Sequence, residues 1–410
     1  MRVVTADVLR RRLADLPHGS PRVVASGNHA VPWTLLQVAD DAIETYRLFM
    51  LNAPPGVPDR PGVVLETPFV GAGMRDRDML AYLPSRLSLV PALLNRQAVP
   101  DVVLLNTTTP RGGLVSLGVE VNVLPAAIEA ARARGGLVVA ALNREMPYTY
   151  GDSQLAVDDI DLAVEVDQPL GELPHRAADE LHGQIGARVA DLVPEGATLQ
   201  IGIGAIPDAV LTSLTSRRNL RVWTEMFSDG LLGLAKAGSL AEAPITTSFA
   251  AGSQELYDFL DDNRDVVFSR TERTNDPAMI SRQPAMTSIN AALQVDLYAE
   301  ANASYVRGRI YSGFGGQSDF VVGALHSPGG AAVIALPSWH PKSHASTVVP
   351  RLDGPATSFQ HSYIVTEHGV AEIWGRSQRE QAAQLVERAA APDARPALRE
   401  SAARLGLAVR

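Results

Sequence analysis

From Arg22 to Asn143 the chain repeats one pattern: a short apolar run, turn residues, a helical stretch, another short apolar run. The runs are "RVVAS" (Arg22–Ser26), "GVVLET" (Gly62–Thr67), "DVVLLNTT" (Asp101–Thr108) and "GGLVVAALN" (Gly135–Asn143). Continuous apolar strands separated by helices are what a parallel sheet covered on both faces requires. Between the last two runs, Ala126, Ala127, Ala130 and Ala131 share one helical face and Gly135 is a stop signal. The pattern resumes near residue 175 with "HRAADELHGQIGARVADLVPEGATLQIGIG", a helix, a turn and a strand. Later strands are expected at Leu220–Glu225, Ala331–Ser338 and Ser362–Glu367, and an Ala- and Arg-rich helical tail at Arg379–Leu407, broken at "APDARP". The expected class is α/β, with two open α/β domains and mainly parallel sheets. "DQPLGELP" (Asp167–Pro174) carries the turn formers of a linker, which divides the chain into residues 1–172 and 173–410.

At 410 residues the chain exceeds a comfortable single core, and 46% hydrophobic content supplies buried sheets for two. Its net charge of −9 argues against nucleic acid as the main partner, because phosphate backbones require a basic surface. The absence of cysteine excludes disulfides, thiolate metal sites and a cysteine nucleophile. "MRVVTADVLRRRLADLPHG" lacks the apolar core of a signal peptide, and no run approaches the ~20 apolar residues of a membrane span, so the expected location is the cytoplasm.

"LQIGIGAIPDAV" (Leu199–Val210) places Gly202 and Gly204 between an expected strand and an expected helix. Backbone N–H groups at such a corner bind anions, and glycine lets a ligand approach. The residues alone fit a plain strand-to-helix corner equally well. G-x-G-x-x-G is incomplete, since Pro207 occupies its sixth position. One unit later, "VWTEMFSDG" puts Glu225 at a strand's carboxyl end, where open α/β sheets build active sites. A helix cap or surface acid is the alternative there, and Asp229 has the position of an N-cap. "YSGFGGQSDFVVGALHSPGG" carries Gly313, Gly315, Gly316 and Gly323 in an otherwise alternating stretch, fitting an oxyanion hole or a β-bulge or hairpin. Neither a G-x-S-x-G elbow nor a phosphate-binding G-x-x-x-x-G-K-[ST] loop occurs. His340 and His344 flank Pro341 without an evident third ligand, which disfavours a metal site.

Together these segments resemble the acetyl-CoA hydrolase/transferase family of coenzyme A transferases, most closely its 4-hydroxybutyrate and butyrate CoA-transferase branch. "LQIGIGAIPDAV" is similar to that branch's glycine loop, and "TEMFSDG" to its S/T-E-M-x-S-D-G motif, whose Glu is the covalent nucleophile and falls on Glu225. "LNREMPYTYGDS", "NDPAMISRQPAMTSINAALQVDL", "SGFGGQSDFVVGA", "LPSWHPKSHASTVVP" and "VTEHGVAEIWG" match further family motifs in order. His344, Trp374, Phe227 and Phe314 depart from the usual residues, which bears on acyl specificity and on the grip on coenzyme A. Phe227, Phe314, Trp339 and Trp374 fit either a reshaped pocket or buried packing.

The resemblance implies two NagB/RpiA-like domains, an active site in the cleft between them, and a homodimer. It implies coenzyme A as a substrate, with no metal or prosthetic group, and acyl-CoA and carboxylic acids as the small-molecule partners. Glu225 is the implied nucleophile, with Ile201, Gly202 and Gly316 stabilising oxyanions. Gly202, Ile203, Gly204, Ala205, Ile206, Ser312, Gly315, Gly316, Lys342, Glu367 and Gly369 are the implied coenzyme A contacts, and Asn275 and Gln317 the implied substrate contacts. The expected activity is ping-pong transfer of coenzyme A between a short acyl-CoA and a carboxylate such as acetate, through a glutamyl-CoA thioester. Two alternatives remain: an acyl-CoA hydrolase using the same intermediate, and a non-catalytic coenzyme A binder.

Overall fold

A computed structural model of the chain describes residues 1–16, 19–173, 179–356 and 360–408. Its internal contacts form two compact units. Unit one comprises Met1–Pro174, Pro244–Thr274 and Ile310–Gly315; unit two comprises His175–Ala243, Asn275–Arg309 and Gly316–Arg410.

The largest sheet of unit one has eight strands: Arg2–Val3 (β1), Arg22–Ala25 (β2), Tyr46–Phe49 (β3), Val63–Thr67 (β4), Leu80–Tyr82 (β5), Val102–Thr107 (β6), Leu137–Asn143 (β7) and Leu162–Val166 (β8). They form one sheet in the order β1-β8-β7-β6-β2-β3-β4-β5, every pair parallel. β6 and β7 are buried at every position, the burial that a continuous apolar run predicts. The helix Leu124–Ala133 (α1) buries Ala126, Ala127, Ala130 and Ala131, and Gly135 follows at φ +72°. The expected linker is tied into unit one as far as Leu173. Gly171 N donates to His29 O (3.0 Å) and Leu173 N to Gly252 O (3.0 Å). Pro174, and the start of the expected helix at His175, lie outside the described residues.

The chain leaves β2 toward β3 on one side and later returns through β6 on the other. At this reversal lies a buried polar knot. Glu120 is 1% exposed and accepts hydrogen bonds from Asn28 Nδ2 (3.0 and 2.9 Å) and Asn122 Nδ2 (2.7 Å), while Asn52 Nδ2 donates to Asn28 Oδ1 (2.8 Å). Burial pushes the Glu120 carboxyl up to about 7, against the pull of these donors. A carboxyl raised in the folded state keeps a proton that the unfolded chain gives up, so its stabilising contribution falls as pH climbs from 4.5 through 7. Glu120→Gln is expected to flatten that slope by up to about 3 kcal/mol, read as the difference between the two proteins' denaturant midpoints at pH 4.5 and 7.5.

Unit two has six principal strands: Thr198–Ile201 (β9), Arg221–Val222 (β10), Thr287–Ala291 (β11), Ala331–Ala335 (β12), Tyr363–Thr366 (β13) and Gly369–Glu372 (β14). Their order is β10-β9-β11-β12-β13-β14, all parallel except the antiparallel hairpin β13/β14. From β9 the chain moves outward to β10, then returns to β11 on the opposite side. The carboxyl ends of β9 and β11 therefore border a reversal point, where ligands of open α/β sheets lie. The tail forms a helix Gln378–Gln384 with a Ser377/Glu380 capping box, a widened turn at Leu385–Ala389, and a helix Arg395–Arg404. Leu385, Val386 and Leu398 pack with Ile364 of β13.

Three local expectations are corrected. The expected strand Leu220–Glu225 is reduced to Arg221–Val222, an edge strand with β9 as its single neighbour. The glycine-rich alternating stretch is a helix from Gln317 to His326, because Phe320, Val321 and Ala324 bury one helical face once Gly315 and Gly316 are passed. Ser228 holds the N-cap expected at Asp229, which is the first residue of the helix Asp229–Lys236. No helix among the described residues is long and apolar enough to cross a membrane.

Candidate active site

β9 ends at Ile201, and the helix Ala205–Ser213 (α2) begins after three intervening residues. Gly204 makes the turn at φ +119°, a region that side chains rarely adopt. A Cβ placed on Gly202 or Gly204 would find nothing within 4 Å, so open space faces the backbone there. Ile203, between them, is 42% exposed. The first N–H groups of α2 lack helical acceptors, as at any helix start.

Glu225 is brought to this corner by sheet pairing. After β10, Trp223 N donates to Leu199 O at 3.0 Å. The Thr224 hydroxyl donates to Ile201 O (3.2 Å) and accepts from Ile201 N (3.4 Å). The residue before the carboxylate is thus clamped to the residue before the glycine loop. Thr224 has no role in the sequence reading; its signal is its place between Glu225 and an apolar run.

Asn275 Nδ2 donates to Glu225 Oε2 at 2.9 Å. Gly316, the N-cap of the helix Gln317–His326 (α3), presses from another side: a Cβ there would stand 1.8 Å from Glu225 Oε2 and 2.3 Å from Asn275 Nδ2. Desolvation pushes the Glu225 carboxyl up to about 7; the Asn275 hydrogen bond pulls it down, and the charge of Asp319 pushes it up further. Among the described residues, buried Asn275 Oδ1, Gln317 Nε2, Ser318 Oγ and Ser228 Oγ have no hydrogen-bond partner. An arrangement of one desolvated carboxylate and several unused polar atoms has the composition of a reaction centre.

The other expected residues distribute as follows. Ala205 and Ile206 open α2, where Ile206 is buried. Lys342 is exposed in the turn of the hairpin Trp339–Ser346. Glu367 is bound to the base of that hairpin, accepting from Ser338 N (2.9 Å) and Ser338 Oγ (2.5 Å). Gly369 starts β14 against Arg388. Ser312 and Gly315 belong to unit one, where Ser312 O accepts from Val70 N (2.8 Å) and Gly315 O from Leu87 N (2.9 Å). Phe227 is completely buried, whereas Trp374 is 60% exposed. His340 Nδ1 accepts from Ser343 N (3.1 Å), and no group of His, Asp or Glu able to hold a metal occurs among the described residues.

Models of the acetyl-CoA hydrolase/transferase N-terminal and C-terminal domains match residues 68–170 and 252–402. The chain is 39% identical over 334 residues to a 4-hydroxybutyrate coenzyme A transferase of Clostridium kluyveri, covering 78% of this chain and 77% of that protein. It is 38% identical over 337 residues to a succinyl-CoA:acetate/propanoyl-CoA:succinate CoA transferase of Fasciola hepatica, covering 78% and 69%. The crystal structure of RipA from Yersinia pestis superposes with a TM-score of 0.91 at 30% identity, over 99% of this chain and 98% of that one. With both domain models matched in order and these relatives aligned over most of their length, the chain belongs to the acetyl-CoA hydrolase/transferase family, an enzyme family of coenzyme A transfer and acyl-CoA hydrolysis.

Proposed function

We propose that this chain transfers coenzyme A between a short-chain acyl-CoA and a carboxylate acceptor, with Glu225 as covalent nucleophile. The observation carrying this reading is the desolvated Glu225 carboxyl, held by Asn275 and pressed against Gly316 at the open end of a parallel sheet. In water a carboxylate is a feeble nucleophile; fixed and desolvated, it gains both orientation and basicity.

In the first step a Glu225 oxygen bonds to the thioester carbonyl carbon and the C–S bond breaks, giving an acyl-glutamyl anhydride and the coenzyme A thiolate. The thiolate then attacks the Glu225 carbonyl carbon, and the anhydride C–O bond breaks to release the acid as its carboxylate. An acceptor carboxylate runs the two steps in reverse. The thioester is exchanged, never surrendered to water. Backbone N–H groups around Gly202 and Gly316 serve the tetrahedral oxyanions. Asn275 and Gln317 serve the substrate carboxylate, and Lys342 the phosphates of coenzyme A. Glu367 contributes by anchoring Ser338, four residues before Lys342.

Intact mass after incubation with acetyl-CoA tests the reading. A coenzyme A adduct on a Glu225 peptide supports it, and so does acyl-CoA consumption that requires added carboxylate. Full-rate consumption without an acceptor carboxylate overturns transfer in favour of hydrolysis, and absence of any adduct overturns the covalent route. Because Asn275 favours the ionised carboxyl, Asn275→Ala should move the acidic limb of the pH–rate profile above about 7 and slow the reaction roughly tenfold at neutral pH.

A further inference from the structure

Asp319 is 0% exposed and lies in the first turn of α3, three residues beyond the Gly316 that touches the Glu225 carboxyl. An acid in a helix's first turn is ordinarily a surface complement to the helix dipole. This one is enclosed, and its field reaches Glu225. Ser318 Oγ, next to it in sequence, and Oδ1 of the Asn275 that bonds Glu225 are buried with no hydrogen-bond partner among the described residues. The first turn of α3 therefore faces a centre that keeps polar capacity in reserve. Two carboxylates sharing a desolvated region repel, and the repulsion is relieved when one of them loses its charge.

We infer that Asp319 is a positioning residue for charge: its buried carboxylate raises the energy of ionised Glu225 and so favours the covalent states, in which Glu225 is neutral. The inference rests on Glu225 being the nucleophile. The balance of charge is explicit. Glu225 enters as a carboxylate; formation of its anhydride sends the negative charge to the coenzyme A sulfur, and formation of the thioester sends it out with the released acid. Neither covalent state of Glu225 carries a charge to oppose Asp319. Burial, the Asn275 amide and the Asp319 charge all act on Glu225.

The test uses the full chain and acetyl-CoA, with adduct measured by intact mass across pH 5.5–8.5 at a fixed ratio of acetate to acetyl-CoA. For the native sequence the rate of adduct formation should rise with a midpoint near 7. Asp319→Asn should move this midpoint down by about half a unit or more, and lower the equilibrium ratio of adduct to free enzyme at pH 8 about threefold. Asp319→Ser removes the same charge with a smaller side chain and should act alike, which covers failure of either neutral variant to fold. Asp319→Glu keeps the charge and should hold the midpoint. An unchanged midpoint and adduct ratio in the neutral variants overturns the inference, as does an Asp319→Glu shift equal to theirs, which would indicate packing alone. Absence of adduct in the native sequence is a different result: it refutes Glu225 as nucleophile rather than the role of Asp319.

Discussion

Glu225→Gln is expected to lower acyl exchange by roughly 10⁴-fold or more and to abolish the coenzyme A adduct, while leaving the fold unchanged. The size follows from the proposed role, because removing a covalent nucleophile would eliminate the route itself rather than weaken one contact in it. The amide is nearly isosteric with the carboxyl and keeps an oxygen able to accept the Asn275 hydrogen bond of 2.9 Å. It also removes a desolvated charge, so the thermal midpoint should stay level or rise at pH above 7. Exchange rates with acetyl-CoA and butyrate, together with intact mass and a melting curve, check all three statements. Normal exchange by the variant would refute Glu225 as nucleophile. A fall in exchange accompanied by a collapsed melting curve would mean that the substitution had damaged the fold.

Gly316→Ala should lower exchange about 100-fold with little loss of stability. Gly316 has φ −94° and ψ −1°, a conformation alanine adopts readily, so the backbone raises no objection. The obstruction is the added methyl, which would stand 1.8 Å from Glu225 Oε2 and 2.3 Å from Asn275 Nδ2. Both atoms lie at the ends of side chains and can swing away at small cost to folding. Swinging away is what the chemistry cannot tolerate, since a displacement of about 1 Å in a reacting group costs on the order of 100-fold. A melting midpoint within a few degrees of the native value, alongside the rate loss, would separate this effect from general destabilisation. Unaltered exchange would show that the carboxyl does not react from the position it holds here.

Much of the architecture could be read from residue order. The all-buried strands β6 and β7 are continuous apolar runs, and a strand buried on both faces has few other compositions available to it. The α1 alanines and Gly135 likewise specify a helix and its end through spacing alone. The errors have a common cause. The glycine-rich stretch alternates, yet from Gln317 to His326 it is a helix because Phe320, Val321 and Ala324 find a buried face at helical spacing. Local pattern proposes, and the available core surface decides.

The chemistry divides in the same way. Glu225 and the glycine corner are visible in the chain as local motifs, and Asn275 only through the segment's resemblance to the family. Their electrostatic state is not visible. Asn275 lies fifty residues from Glu225 in sequence, and Asp319 more than ninety, so only the folding of the sheet makes the first a hydrogen-bond donor and the second a source of repulsion. Thr224 is an ordinary threonine until the pairing of β9 with β10 sets its hydroxyl against the Ile201 peptide. Residue identity determined which groups could react and which backbone could bend. Proximity across the fold determined how much water each group lost and which charge faced it, because desolvation and Coulomb energy depend on distance in space and not on separation along the chain.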